Sequence, residues 1–244
     1  MSRIALVTGA DRGLGLALTA RLLSLDWCVF AGQYLPDWPE LDALAAHYPD
    51  RLTLLPLDVS SPSSTQNAAH LAAQKSDVVD LLINNAGINA IHRERTVRET
   101  QDYDEIHRVY DTNSLGPLRV LEAFLPLTDH STMKRLCFVS SEAGSLARAQ
   151  RFAWFGYCMS KAALNMGVQL LFNHLRPEGY TFRLYHPGGI RSYIGGTGIK
   201  GTLSGQEPEE AAIPAVAHFL ETYTDPSEED RLVMKDHNGQ IWPW

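Results

Sequence analysis

The 244-residue chain has little cysteine and comparatively little positive charge: three cysteines, and 21 lysines and arginines against 28 aspartates and glutamates, a formal net charge of −7. Cys28, Cys137 and Cys158 fall into no metal-type or redox-type spacing. That argues against a disulfide framework and leaves reduced packing residues as the default reading. His92, His107 and His186 show no ligand spacing either, so no metal is expected. The acidic balance speaks against a nucleic-acid surface, which needs a basic face. No apolar run reaches the roughly 20 residues that a membrane helix requires, so no membrane partner is expected. Met1-Ser2-Arg3 runs straight into the apolar Ile4-Ala5-Leu6-Val7. We therefore expect no leader peptide and a cytoplasmic protein. Internal repeats, linkers and low-complexity tracts are missing too. The length suits a single domain over 1–244 with a sizeable core.

What is present is an alternation of short apolar runs with amphipathic stretches. Strands are predicted near 3–7, 28–32, 52–56, 80–84, 135–140, 181–186 and 231–234. Helices are predicted near 13–25, 39–48, 63–75, 103–126, 155–175 and 208–222. Val-, Ile- and Leu-rich strands separated by helices imply an α/β fold, a Rossmann-type doubly wound parallel sheet of about seven strands with helices on both faces. Two connections exceed the usual length, 88–102 and the glycine-rich 187–207. Long loops at the carboxyl ends of parallel strands tend to shape a site.

Tyr157 and Lys161 stand four residues apart, on one face of a predicted helix. An ammonium about 4 Å from a phenolate, at an effective dielectric of about 20, is worth about 4 kcal/mol, or about three pKa units. The expectation is a tyrosine whose pKa is brought down toward the range where it trades protons at neutral pH. Near the amino terminus, Thr8-Gly9-Ala10-Asp11-Arg12-Gly13-Leu14-Gly15 follows the first strand and opens the first helix. Gly9 turns the chain, Gly13 admits a pyrophosphate close to the backbone, and Gly15 lets the helix pack on the sheet. The helix terminus then offers free amides and a positive dipole end to phosphates. The spacing meets the generic Gly-x-Gly-x-x-Gly fingerprint only approximately.

Together with Asp58-Val59, Asn84-Asn85-Ala86-Gly87, Asn113, Ser140-Ser141 and Pro187-Gly188, these motifs make the chain resemble the short-chain dehydrogenase/reductase family over nearly its whole length. Asn113-Ser114-Leu115-Gly116, Ser141-Glu142-Ala143-Gly144-Ser145 and the terminal Ile241-Trp242-Pro243-Trp244 look most like its carbonyl-reductase-like branch. The resemblance implies four roles. Tyr157 supplies the proton, and Lys161 tunes it and holds the nicotinamide ribose. Ser141 donates to the substrate oxygen, and Asn113 holds a water that links Lys161 to solvent. Because the stretch from Ser141 to Tyr157 is longer than is common in the family, Ser140 and Ser145 stay open as the oxyanion donor. The added residues are expected to bulge over the pocket.

The resemblance further implies cofactor contacts from Gly9, Asp11, Arg12, Gly13, Leu14, Gly15, Gln33, Asp58, Val59, Asn85, Ala86 and Gly87. The same holds for Tyr157, Lys161, Pro187, Gly188, the backbone of Ile190 and the hydroxyl of Ser192. Gly32 and Gln33 stand where an acidic residue would repel a 2′-phosphate, and Arg12 stands where NADP-using relatives carry a base. NADP is expected, with NAD possible; a solvated Arg12 is the bland alternative. Asp58 is expected to meet the adenine amino group or, equally, to cap the Ser60–Ser63 turn. Tyr193, Ile194 and Ile199 are candidate walls of a substrate pocket, beside a small Gly189 and a mobile glycine-rich lid. Arg93, Arg95, Arg98, Arg148 and Arg151 could draw an acidic substrate; a solvated surface paired with Glu94 and Glu99 is the favoured reading.

The expected function is NADP-dependent reduction of an aldehyde or ketone of a small metabolite, or the reverse oxidation of an alcohol. The alternatives are a catalytically silent nucleotide-binding sensor of the same fold, or epimerisation or dehydration with the same cofactor. A homodimer or homotetramer through helices 103–126 and 155–175 is expected from the resemblance.

Overall fold

The computed structural model describes residues 3–194 and 205–244. Its sheet has the order β3-β2-β1-β4-β5-β6-β7-β8. The strands are β1 (Ile4–Val7), β2 (Cys28–Gln33), β3 (Leu52–Pro56), β4 (Leu81–Asn84), β5 (Arg135–Val139), β6 (Thr181–His186), β7 (Met234–Asp236) and β8 (Ile241–Trp242). All pairings are parallel except the last, which joins β7 and β8 antiparallel. The doubly wound sheet expected from the sequence is therefore present, with eight strands among the described residues rather than seven.

The differences lie at the carboxyl end. The strand expected at 231–234 begins only at Met234, and a short hairpin follows. Asp236 closes it, its Oδ1 accepting from the amides of Asn238 and Gln240 at 2.9 Å each, with Gly239 at φ +77°. A two-residue strand offers no alternation to read.

The helices are α1 (Gly13–Ser24), α2 (Pro39–His47), α3 (Pro62–Ala73), α4 (Tyr103–Tyr110), α5 (Gly116–Asp129), α6 (Phe155–Leu175) and α7 (Pro208–Leu220). The single helix expected over 103–126 is divided between α4 and α5 by a π-helical turn at Asp111–Leu115. Pro117 accounts for the division. It has no N–H to give the Asn113 carbonyl, its partner in a regular helix. The register slips, and the Gly116 amide donates to the Asp111 carbonyl five residues back.

Strand alternation sends the core to both faces of the sheet. Ala5 and Val7, Leu81 and Ile83, and Cys137 and Val139 pack with Leu18, Leu22, Val216 and Phe219 of α1 and α7. Leu6, Leu82, Leu136 and Phe138 pack on the opposite face with Phe124, Leu164 and Val168 of α5 and α6. Burial of this kind contributes about 1.5–3 kcal/mol for each large side chain. At the end of α7, two buried arginines take the last carbonyls. Arg135 donates to Phe219 O at 2.8 Å and Glu221 O at 2.9 Å, and Arg183 donates to Glu221 O at 2.7 Å. Arg183 is 1% exposed and forms a two-pronged pair with Glu229 at 2.7 and 2.8 Å. The cationic cluster also complements the negative end of the α7 dipole.

His218 lies on the inner face of α7 against Tyr185 and Phe219. Burial pushes its pKa from 6.5 down to about 4, although its hydrogen bond with Glu221 pulls the other way. An unfolded chain with an ordinary histidine takes up this proton first, so the stability is intact above about pH 6.5 and declines as pH falls toward 4. His186, also pushed down by burial, acts in the same direction. Chemical denaturation across that window is expected to show stability falling with acid. His218→Gln should remove about one proton from the slope, about 1.4 kcal/mol per pH unit. An unchanged slope in the variant would refute the assignment.

Candidate active site

The turn between β1 and α1 is stitched to the end of β4. The Thr8 hydroxyl oxygen accepts from the amides of Asn85 and Ala86 at 3.0 Å each, and Asn85 Nδ2 donates to Thr8 O at 2.9 Å. Gly13 sits at φ +56°, in the left-handed region that glycine tolerates. A Cβ on Gly15 would come within 1.9 Å of the Gly9 carbonyl, so only glycine lets α1 seat directly on the turn. The amino end of α1 has no side-chain cap and no acidic residue in its first turn. Its orphan amides and positive dipole end remain available, which fits the pyrophosphate of a dinucleotide. The loop after β6 closes the other side, with Ser192 Cβ only 3.4 Å from where a Gly13 Cβ would lie.

On the adenosine side, the residues divide between ligand-facing and structural duty. Asp11 is buried, and its Oδ1 accepts from the amides of Tyr34 and Leu35 at 2.8 Å each. Its carboxylate thus braces the turn after β2. Burial, opposed by these bonds and by Arg12, raises its pKa. Asp58 Oδ1 caps the turn, accepting from the Ser60 amide at 2.9 Å and the Ser60 hydroxyl at 2.6 Å. The Val59 side chain is buried, 2.9 Å from a Cβ placed on Gly116. Gln33 ends β2, its carbonyl held by the Leu57 amide at 2.8 Å. Arg12 is half-buried, its guanidinium 4.6 Å from the Trp38 ring and 4.9 Å from the Tyr193 ring. Tyr193, expected as a substrate wall, packs against Arg12 and Trp38 beside the glycine turn.

The catalytic candidates gather beyond the ends of β4 and β5. Lys161 is buried, and its Nζ donates to the Val139 carbonyl at 2.9 Å while lying 5.8 Å from the centre of the Tyr157 ring. Ser141 lies close enough to Tyr157 to favour its phenolate, and its Oγ accepts from the Ala143 amide at 3.1 Å. The other two serines are engaged elsewhere: Ser140 Oγ donates to Asn165 Oδ1 at 2.6 Å, and Ser145 Oγ donates to the Pro243 carbonyl at 2.6 Å. Asn113 is fully buried in the π turn. Its Oδ1 accepts from the Ile88 amide at 2.9 Å, and its Nδ2 donates to Ile88 O at 2.9 Å and Ser160 Oγ at 3.0 Å. A Cβ on Gly87 would lie 3.3 Å from Asn113 Oδ1 and 3.7 Å from Lys161 Nζ, so Gly87 sits between the two.

The electrostatics run against the expectation of a lowered tyrosine pKa. Burial pushes Tyr157 up to about 12; the nearby Ser141 hydroxyl and Arg151 oppose this, and Glu142 and Cys158 add to it. Burial also pushes Lys161 down to about 8. Desolvation wins because both groups lie in the interior, and Lys161 is directed at a strand carbonyl. Tyr157 consequently carries its proton at neutral pH.

Several residues here went unrecognised in the sequence. Ser160 Oγ donates to the Tyr157 main-chain carbonyl at 2.8 Å while accepting from Asn113 Nδ2 at 3.0 Å. Asn165 Nδ2 donates to Gly144 O at 3.2 Å and fixes the loop that carries Ser141. Glu142 forms a two-pronged pair with Arg151, and Arg93 pairs with Glu94 at 3.3 Å. The long loop ends at Trp154, whose Nε1 donates to Glu94 Oε1 at 2.9 Å and whose ring meets Tyr157 edge-on at 6.2 Å. Ser160, Asn165 and Glu142 carry no sequence signal for these contacts, whereas the Arg93–Glu94 pair follows the surface-pairing expectation.

Pro187 is buried, and Gly188 turns at φ +77° with its amide on His186 Nδ1 at 3.3 Å. Gly189, Ile190 and Arg191 pair with Gln206, so the two ends of the 187–207 loop meet. Ile199 and the glycines expected to form a lid lie outside the described residues. His92, Asp102 and Glu105 do come together, with one possible ligand atom from each within 4.8 Å, a grouping the spacing did not reveal. Glu105 accepts there from the amides of Ile91 and His92, and Asp102 caps α4.

Comparison with known proteins agrees with this geometry. The short chain dehydrogenase family matches residues 3–198. An uncharacterised oxidoreductase of Schizosaccharomyces pombe is 33% identical over 201 residues, 82% of this chain and 78% of that one. The C-signal protein of Myxococcus xanthus is 42% identical over 118 residues, 48% of this chain and 69% of that one. Among solved structures, an NADPH-bound carbonyl reductase from chicken fatty liver superposes with a TM-score of 0.83 at 30% identity, covering 100% of this chain and 99% of that one. An NADP-bound short-chain dehydrogenase/reductase of Burkholderia multivorans superposes with a TM-score of 0.84 at 29% identity, covering both chains completely. The chain belongs to the short-chain dehydrogenase/reductase family of NAD(P)-dependent oxidoreductases, in its carbonyl-reductase-like branch.

Proposed function

We propose that the protein reduces an aldehyde or ketone of a small metabolite with NADPH, and that Tyr157 gives the proton. The observation that carries this reading is the buried Tyr157 beside Ser141, with Lys161 on the next helical turn, near an uncapped helix terminus suited to a pyrophosphate. The NADPH-bound and NADP-bound relatives support the choice of cofactor, as does the carboxylate-free end of β2 at Gly32 and Gln33. When bound, the reduced nicotinamide supplies the hydride.

The chain's own groups manage the remaining charge. Ser141 donates toward the substrate oxygen where negative charge grows, an oxyanion-type contact. Tyr157, protonated at rest, gives up its proton to that oxygen. The Lys161 ammonium, held close by Val139 O, makes the resulting phenolate less costly. The Asn113 carbonyl, which Pro117 deprives of its helical donor, is placed to hold a water for reprotonation. The backbone of Gly188 and Ile190, with Ser192, forms the wall nearest the nicotinamide.

We also assign the expected self-association to the apolar face of α5 and α6. Leu118, Met166 and Leu170 are 41%, 59% and 61% exposed there, and line a cavity of about 270 Å³ with Phe138 and Leu164. Exposed apolar side chains clustered in this way suit a second copy of the chain.

Tyr157→Phe is expected to slow single-turnover NADPH oxidation by about 10²–10⁴-fold with a good carbonyl substrate, while NADPH still binds. Tight NADPH binding by the unaltered protein, with no turnover across a broad carbonyl panel, would instead favour the silent nucleotide-binding alternative. Among serine-to-alanine changes, Ser141→Ala should lower turnover most, by about 10²-fold or more, with Ser140→Ala and Ser145→Ala acting mainly on stability. Leu170→Glu should shift the protein toward the monomer in light scattering; an unchanged mass would remove this face from consideration.

A further inference from the structure

Arg12, Trp38 and Tyr193 come from three separate segments and meet at nearly equal separations. The Arg12 Cζ lies 4.6 Å from the Trp38 ring and 4.9 Å from the Tyr193 ring, and the two rings meet edge to face at 5.0 Å. Each partner is itself fixed. The Trp38 amide donates to Leu35 O at 3.1 Å, and its Nε1 donates to Glu40 Oε2 at 2.9 Å. The Leu35 amide is in turn held by the carboxylate of Asp11, the residue next to Arg12. Tyr193 follows Ser192, which is packed over Gly13 of the phosphate turn.

We propose that Trp38 and Tyr193 are specificity-determining residues for the phosphorylated cofactor, acting by holding the Arg12 guanidinium in place for the 2′-phosphate. The inference rests on the reading that Arg12 meets that phosphate. A guanidinium lying against aromatic rings uses its faces for the cation–π contact and keeps its N–H edge for in-plane bonds to phosphate oxygens. Left in water, a long arginine side chain would lose its rotamer freedom on binding. Held in an aromatic corner, it is already ordered. This matters because the end of β2 provides only Gly32 and Gln33, with no second cation for the phosphate. Nearby carboxylates do not cancel the effect in this geometry: Asp11 is turned to the Tyr34 and Leu35 amides, and Glu40 to the indole.

The arrangement also joins two ends of one ligand. Tyr193 belongs to the loop whose preceding residues form the proposed nicotinamide wall, whereas Trp38 opens α2 at the adenosine end.

The test is to titrate the full-length protein and its Arg12→Ala, Trp38→Ala, Tyr193→Ala and Tyr193→Phe variants with NADPH and NADH. Adenosine 2′,5′-bisphosphate and AMP serve as probes that lack the nicotinamide. Arg12→Ala should remove most of the NADPH preference. Trp38→Ala and Tyr193→Ala should each reduce the NADPH-to-NADH affinity ratio, and the bisphosphate-to-AMP ratio, by about three- to tenfold. Tyr193→Phe should keep both ratios, because the ring and not the hydroxyl makes the contact. If Arg12→Ala collapses the ratios but both aromatic-to-alanine variants leave them unchanged, or weaken all ligands equally, the inference is overturned while the Arg12 reading stands. Ratios unaffected by Arg12→Ala would overturn both.

Discussion

The hydrogen bond from Lys161 Nζ to the Val139 carbonyl is the contact on which the site's geometry depends. A buried ammonium is costly unless a strong acceptor receives it. Here the acceptor is the last residue of β5, so satisfying the charge fixes the rotation and height of α6 against the sheet. One helical turn away, Tyr157 is brought against Ser141, which leaves β5 two residues after Val139. Asn165, a turn further on, secures the same junction through Ser140 and Gly144.

Two opposing electrostatic effects meet at the tyrosine. An approaching cation favours the phenolate, and removal from water disfavours it. In this structure desolvation is the larger, so the phenol is held in its protonated form and the lysine itself holds its proton less firmly. For a group whose proposed duty is to deliver a proton, this is the appropriate resting state. The lysine's attraction becomes valuable only as the proton leaves, when the phenolate would otherwise be stranded in an apolar surrounding. The Arg151–Glu142 pair, which sequence inspection treats as ordinary surface charge, lies close enough to act on the tyrosine in both directions.

The cofactor end is built from bracing that is mostly indirect. Thr8 and Asn85 tie two neighbouring strand ends together, and Asp11 holds the turn that positions Trp38. Such polar contacts are modest singly, about 1 kcal/mol each, yet in a network they over-determine the turn. An amide-rich helix terminus then needs little further adjustment to receive an anion.

Much of this was legible in the chain itself, because some properties depend only on near neighbours. Alternating apolar runs and helical stretches defined a doubly wound sheet, Gly9, Gly13 and Gly15 marked the phosphate turn, and four-residue spacing put Tyr157 and Lys161 on one helical face. Contacts between distant segments were not legible. Whether Ser140, Ser141 or Ser145 faces the tyrosine depends on strand twist and on Asn165 and Pro243, and Asp11 and Asp58 prove to be bracing groups only once their amide partners are seen. The sign of the Tyr157 shift required knowing how deeply the pair is buried. Sequence determines what each segment prefers locally; tertiary structure decides which polar groups meet and how much water they lose, since both depend on residues far apart along the chain.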